Sequence, residues 1–316
     1  MATQPTRVDR LSDPVSQGPG NPGRISGVVL LDKPPTLTSN AAVQQVRRMF
    51  DRAKAGHTGT LDPLASGLLP ICLGEATKFS HPLLESSKTY RASLRLGWRS
   101  STGDAEGELS AGAPPDFDDA RLHLAVKALT GEIDQLPPMY SAVKVNGRPL
   151  YSLARKGISV ERATRRVHIL EFEATRQSTE TLEISVRCSK GTYIRTLAED
   201  LGDRLGCGAY LTGLRRMAIG SIEVSEAVGL EALDRMPLAG RLAVLRPIDL
   251  LLGDMPEVRL TLSDSTRLGH GLRVYGLDNV APGQVRVYSE QGDFLGLGEI
   301  SSDGSLKPKR LVSSAP

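Results

Sequence analysis

The chain has 316 residues, 40 % of them hydrophobic, enough for a sizeable core and for two domains or one large domain with a small one. A net charge of +3 and a pI near 8.8 leave a nucleic-acid partner open without requiring one. Three separated cysteines, Cys72, Cys188 and Cys207, with no C-x-x-C pair, argue against a disulfide framework or a zinc knuckle and fit a reducing cytoplasm, and no apolar run approaches the roughly 20 residues of a membrane span.

Residues 1–24 lack the apolar stretch of a signal peptide, and their Pro, Gly, Ser and paired charges read as a disordered tail. Order begins near Ile25. The run Gly27–Leu31, bounded by Lys33-Pro34-Pro35, predicts a buried strand. Thr38 or Ser39 then caps a helix carrying Val43, Val46 and Phe50 on one face, with Arg47, Arg48 and Arg52 on its wetter side. Residues 88–97 alternate, with Tyr90, Ala92, Leu94 and Leu96 on one face of a half-buried strand. A helix over 116–130 follows, with Leu122, Val126 and Leu129 inward and Gly131 just past its end. Leu182, Ile184, Val186 and Cys188 predict another half-buried strand, and Ile194, Leu197, Leu201 and Leu205 a helix stopped by Gly206.

After Pro247 the texture changes. Short strands at Val285–Tyr288, Phe294–Ile300 and Leu306, separated by turn residues, suggest a small β-barrel beyond a boundary near residues 250–256. The larger part mixes strands and helices, which implies an α/β domain of the α+β type, with a mixed, largely antiparallel sheet flanked by helices. No βαβ phosphate loop supports a Rossmann reading.

The stretch Gly56–Gly67 is the most informative. Glycines at 56, 59 and 67, with Pro63, make it a constrained loop rather than a helix or a strand. One carboxylate, Asp62, sits there in an uncharged neighbourhood, five residues after His57. By pattern alone this is either a structural turn in which Asp62 bonds nearby backbone, or a loop that carries function. Likewise Tyr90 and Leu214 are equally readable as core, Arg195 as a surface cation and His57 as a solvated loop residue.

The stretch closely resembles the catalytic loop of the TruB family of tRNA pseudouridine synthases. Gly27–Pro34 is similar to that family's opening strand and turn, Leu69–Phe79 to the stretch after the catalytic loop, Lys88–Arg91 to its second active-site strand and Thr102–Gly107 to the turn beyond. Pro138–Lys144, Cys188–Arg195 and Leu214-Arg215-Arg216 also fit, in the family's order. The part after residue 256 looks like the PUA-like barrel that bacterial members carry.

The resemblance implies a catalytic domain over 25–252, with an RNA-clamp insertion at about 138–168, and an RNA-binding domain over 256–316. It implies isomerisation of uridine 55 in the T-arm loop of tRNA, by base flipping, cleavage of the N1–C1′ bond and re-bonding through C5. Nothing is gained or lost overall, so no cofactor or metal is expected, and the chain shows no H-E-x-x-H, Walker loop or deaminase zinc signature. Asp62 would be the nucleophile, or would draw a proton from C2′. Arg195 would pair with it, and an opposite charge nearby lowers a carboxylate's pKa. Tyr90 would stack on the uracil and assist proton removal at C5. Tyr193 and Leu214 would wall the pocket, and His57 would occupy space vacated in the RNA loop. Phosphate contacts are expected from Arg148, Arg155, Lys156, Arg162, Arg165 and Arg166, where the only acid is Glu161, and from Arg215-Arg216 and Lys307-Lys309-Arg310. The expected partner is a tRNA T-arm stem-loop, met by a cytoplasmic monomer without a membrane or an obligate protein partner. The rival is a non-catalytic RNA-folding or RNA-binding protein of the same fold, which should have lost at least one of Asp62, Tyr90, Tyr193 and Arg195.

Overall fold

The computed structural model describes residues 25–313 except 142, 146, 155, 159 and 278, with backbone alone at 144, 145, 148, 149, 151 and 152. The tail over 1–24 and the side chains of Arg148 and Arg155 lie outside the described residues. The described chain forms two compact units, 25–254 and 255–313.

In the larger unit, β1 (Gly27–Lys33) leads into α1 (Ser39–Met49), and β2 (Ala55–His57) and β3 (Ser66–Leu73) flank a loop over 58–65. A short helix, α2 (His81–Glu85), precedes β4 (Lys88–Leu96). The hairpin β5 (Trp98–Ser100) and β6 (Leu109–Ala111) is followed by α3 (Asp119–Ala128) and β7 (Gly131–Gln135). A small hairpin, β8 (Lys144–Val145) and β9 (Arg148–Pro149), and α4 (Leu150–Ala154) come before β10 (Arg165–Ser178), β11 (Thr181–Cys188), α5 (Ile194–Leu205) and β12 (Ala209–Ile219). β13 (Ile222–Glu223), β14 (Val228–Gly229), α6 (Leu230–Arg235) and α7 (Leu238–Ala243) close the unit.

Among the described residues the main sheet has ten strands, ordered β14-β1-β3-β12-β4-β11-β10-β7, with β13 on β12 and β2 on β3. Only β1–β14 and β3–β12 are parallel, so the sheet is mixed and largely antiparallel, as expected. One apolar cluster joins α3 and α5 to β4, β10, β11 and β12; another joins α1 to β1 and β3. Tyr90 and Leu214 are half-buried and pack against both, which sets them where the two clusters meet.

Local sequence explains the parts that frame this meeting point. Thr38 caps α1, its hydroxyl accepting from the Ala41 N–H at 3.1 Å, while Arg47 and Arg48 complement the helix dipole at the other end. Gly206 ends α5 with a left-handed φ of 86°. At Gly67 a Cβ would lie 2.3 Å from the Arg216 carbonyl, so only glycine lets β3 approach β12 here.

Three expectations change. Gly56 and His57 belong to β2, and Ser66 and Gly67 to β3, so the constrained loop is shorter than 56–67; pairing with Ile71 and Cys72 extends the chain at 56–57. Residues 165–168 are part of β10, paired with β7, rather than of an insertion. The smaller unit is not a closed barrel. Its strands β15 (Glu257–Leu260), β16 (Gly283–Ser289), β17 (Phe294–Ile300) and β18 (Leu306–Leu311) form an open sheet in that order, because β15 runs parallel to β16 and, among the described residues, pairs with no other strand. Helix α8 (Leu262–Gly269) packs on it through Leu268.

Candidate active site

The loop over 58–65, the start of β4, the start of α5 and the middle of β12 surround a cavity of about 740 Å³. Asp62, Tyr90, Arg195, His57, Tyr193 and Leu214 all line it. Residues far apart in the chain thus meet in one place.

Asp62 leaves the loop with a half-buried side chain. Its carboxylate Oδ2 lies 3.0 Å from Arg195 Nε. Arg195 is in the first turn of α5 and almost wholly buried, at 5 % exposure, so the reading of it as a surface cation does not hold. Its other nitrogens donate to the carbonyls of Thr102 at 3.1 Å and Tyr140 at 2.8 Å. Asp104, also buried, places Oδ2 3.7 Å from the same Nε. Asp104 is itself held by the Thr102 hydroxyl at 2.6 Å and the Glu106 N–H at 3.1 Å. The buried guanidinium therefore has two carboxylates and two carbonyls around it, which is the compensation a buried charge requires.

The expected effect of Arg195 on Asp62 is present but does not win. Burial pushes the Asp62 carboxyl above the usual carboxylate range; Arg195 and Lys33 pull it down, and Asp104 pushes it up again. Lys33, buried at the end of β1, donates to the carbonyls of Pro34 at 2.8 Å and Leu37 at 2.6 Å, and burial brings its ammonium down to about 8.

Across the cavity, Tyr90 faces Arg216. Arg216 is fully buried, and donates to the carbonyls of Leu68 at 2.7 Å and Gly59 at 3.1 Å. Burial raises the Tyr90 hydroxyl above its ordinary pKa, and the nearby Arg216 opposes that rise. His57 has its pKa lowered by burial and by the charge of Arg216, and its Nδ1 has no hydrogen-bond partner among the described residues. The backbone of Tyr193 is fixed by Gln135, which accepts from its N–H at 3.0 Å and donates to its carbonyl at 3.3 Å.

Several expected phosphate contacts have other partners. Arg215 makes a two-pronged bond to Asp32, at 3.0 and 2.7 Å, and Arg216 is buried. Arg166 lies 3.4 Å from Asp134 and 3.9 Å from Glu132, acids that β7 brings beside it and that the local sequence around Glu161 did not reveal. Arg162 donates to the Pro137 carbonyl at 2.8 Å, and Lys307 and Lys309 pair with Glu299. Lys190, at the cavity, is bonded to Glu85. The sequence alone marks neither Asp104 nor Lys33 as a site residue, and Arg216 only as an expected phosphate contact. Their setting depends on carbonyls and charges from distant elements, although all three lie in the Gly27–Pro34, Thr102–Gly107 and Leu214–Arg216 blocks.

Comparison with known proteins extends these observations. Residues 47–194 match the TruB family pseudouridylate synthase (N terminal domain), residues 195–252 a tRNA pseudouridylate synthase B C-terminal domain, and residues 256–312 the domain described as pseudouridine synthase II TruB, C-terminal. The chain is 54 % identical to tRNA pseudouridine synthase B of Aromatoleum aromaticum, over 92 % of this chain and 94 % of that one. It is 50 % identical to the protein of that name from Methylobacillus flagellatus, over 92 % and 96 %. Among solved structures, an H/ACA RNP bound to a substrate RNA containing 2′-deoxyuridine has a chain of the same fold, with a TM-score of 0.68 at 22 % identity, over 92 % of this chain and 85 % of that one.

Proposed function

The chain belongs to the TruB family of pseudouridylate synthases, and we propose that, as a tRNA pseudouridine synthase, it isomerises the uridine at position 55 of the T-arm loop, with Asp62 as the carboxylate that works on the ribose. The observation that carries the assignment of roles is the Asp62–Arg195 pair, 3.0 Å apart in a cavity walled by Tyr90, Tyr193 and Leu214.

The target base leaves its stack and enters this cavity, a step that costs a few kcal/mol. His57, at the cavity, takes up space the base vacates. Ionised Asp62 meets the ribose, either bonding C1′ as N1 departs or taking a proton from C2′. Arg195 keeps the carboxylate aimed, because its own position is fixed by Thr102, Tyr140 and Asp104. The detached uracil turns between Tyr90 and the walls Tyr193 and Leu214, and C5 bonds to C1′ as the Asp62–C1′ bond breaks or, on the other route, as Asp62 returns the proton to C2′. The proton on C5 then leaves with help from the Tyr90 hydroxyl, and N1, freed from the ribose, ends with a proton in its place. Bonds broken and formed balance, and the product is an isomer of the substrate.

In this reading the enzyme is a cytoplasmic monomer whose substrate is tRNA. Residues 25–252 carry catalysis, the stretch near 138–164 clamps the RNA, and residues 256–316 add a further grip on it. No helix among the described residues is long and apolar enough to cross a membrane.

The test is incubation of the pure protein with an unmodified tRNA transcript, followed by chemical mapping of pseudouridine. The expected result is one modified site, position 55, with no cofactor added. Absence of pseudouridine in a transcript that binds the protein would favour the non-catalytic rival.

A further inference from the structure

Asp62 reaches Arg195 only if the backbone on both sides of it holds still. The loop over 58–65 contributes little to that by itself, because it has no secondary structure of its own apart from one turn, in which the Ala65 N–H donates to the Asp62 carbonyl at 3.1 Å.

The restraint comes from the start of α1. Ser39, 2 % exposed, donates its hydroxyl proton to the Leu61 carbonyl at 2.9 Å and accepts from the Leu61 N–H at 2.8 Å. One side chain therefore satisfies both backbone polar groups of Leu61, the residue on the N-terminal side of Asp62. On the other side, the Thr36 N–H donates to the Pro63 carbonyl at 2.7 Å. Thr36 holds a left-handed φ of 68° to do so, a conformation that a β-branched residue rarely adopts. The Leu61 side chain is sunk in the cluster that holds Val43, Val46 and Phe50, so the anchor rests on the core rather than on another loop.

We infer that Ser39 is a positioning residue for the isomerisation, which together with the Thr36 peptide clamps the two neighbours of Asp62 and so fixes the carboxylate against Arg195. The inference rests on the role given to Asp62 above. Ser39 need not touch the RNA: it acts by orienting the group that does. Thr38, not Ser39, caps the helix, and Ser39, although among the residues that line the cavity, has its hydroxyl committed to the N–H and carbonyl of Leu61.

The test is single-turnover pseudouridine formation by Ser39→Ala on a full tRNA transcript, beside tRNA affinity, a thermal melt and the pH dependence of the rate. A misplacement of the order of an ångström lowers rates by large factors, so the variant should be at least about tenfold slower per folded molecule, with affinity unchanged. Its acid limb should also move to higher pH. The charged and titratable groups around Asp62 include Arg195, Asp104, Lys33, Glu106 and Tyr90, and loosening the carboxylate from Arg195 removes the largest influence that favours its ionised form. A residue that served stability alone would lower the melt and leave the rate per folded molecule and the acid limb in place. If Ser39→Ala does not fold, Ser39→Cys keeps the shape with a weaker donor and should show the same two changes in smaller measure. Turnover within about twofold of wild type with an unmoved acid limb, in whichever variant folds, would overturn the inference. Inactivity of the wild-type protein would instead overturn the reading on which it rests.

Discussion

Arg195 meets Asp62 through Nε at 3.0 Å, and its two remaining nitrogens are committed to the carbonyls of Thr102 and Tyr140. A lysine carries the same charge on one nitrogen and lacks this planar fork. Arg195→Lys should therefore bind tRNA nearly as well as wild type but form pseudouridine about a hundredfold more slowly, the loss typical of removing one fixed electrostatic contact. Single-turnover rates on a tRNA transcript check this. Full activity in the lysine variant would mean that charge alone, not geometry, is required.

Tyr90 packs against both apolar clusters and also lines the cavity, so its ring and its hydroxyl have separable tasks. Tyr90→Phe keeps the ring; it should fold normally and bind tRNA well, yet isomerise at least about a hundredfold more slowly. Tyr90→Leu should in addition bind the flipped base less tightly, since stacking contributes roughly 1–3 kcal/mol per base. A thermal melt beside the rate separates these effects. Near-normal turnover in the Phe variant would remove the hydroxyl from the mechanism.

Salt dependence of tRNA binding distinguishes free from committed cations. Each phosphate contact contributes about 0.7–0.9 to the slope of log affinity against log salt. Arg166 already faces Glu132 and Asp134, so neutralising it should change the slope less than neutralising Arg165, which precedes it on β10. Equal changes would mean that the RNA displaces the acids, and no change in either would place the RNA path elsewhere.

Glu199, one turn beyond Arg195 on α5, has its carboxyl raised from 4.5 to about 7, mainly by burial and then by Asp200. The folded protein holds this proton where the unfolded chain has lost it. Stability therefore falls as pH rises from 4.5 to about 7 and levels off above. Glu199→Gln removes that penalty. Its stability relative to wild type should improve across this window, by on the order of 1–2 kcal/mol allowing for solvent screening. Denaturant melts at pH 5 and pH 8 check it, and a gap independent of pH would contradict it.

The smaller unit encloses its own apolar cluster, built on Val258, Leu260, Val285, Val287 and Ile300, and the clusters of the larger unit contain none of its residues. Removing residues 255–316 should leave the larger unit folded, weaken binding of whole tRNA, and keep some activity on an isolated T-arm hairpin. Complete loss of hairpin activity from a folded truncation would show that the smaller unit helps to build the pocket.

The sequence disclosed what is local and hid what depends on distant partners. Alternation in 88–97 and 182–188 and the apolar stripe ended by Gly206 became β4, β11 and α5, because each pattern marks one buried face. β12 escaped the same reading. Arg216 is buried at its centre, and a charge inside a run reads as exposed until Leu68 and Gly59 are seen to supply carbonyls for it. The first residues of β10 read as a cationic cluster for a similar reason, since the acids of β7 lie beside them only in the fold. All six expected site residues line one cavity, yet the direction of the Asp62 pKa shift was not legible. Pairing with Arg195 could be expected, whereas the burial that outweighs it depends on the whole pocket.

The most direct measurement is single-turnover pseudouridine formation at position 55 of a tRNA transcript by Asp62→Asn, with tRNA affinity measured on the same preparation. The amide keeps the size of the carboxylate but carries no charge for the ribose. The account predicts that no pseudouridine forms while affinity stays within about threefold of wild type, a difference below 1 kcal/mol. Turnover within about tenfold of wild type, a barrier change of only about 1.4 kcal/mol, would contradict it.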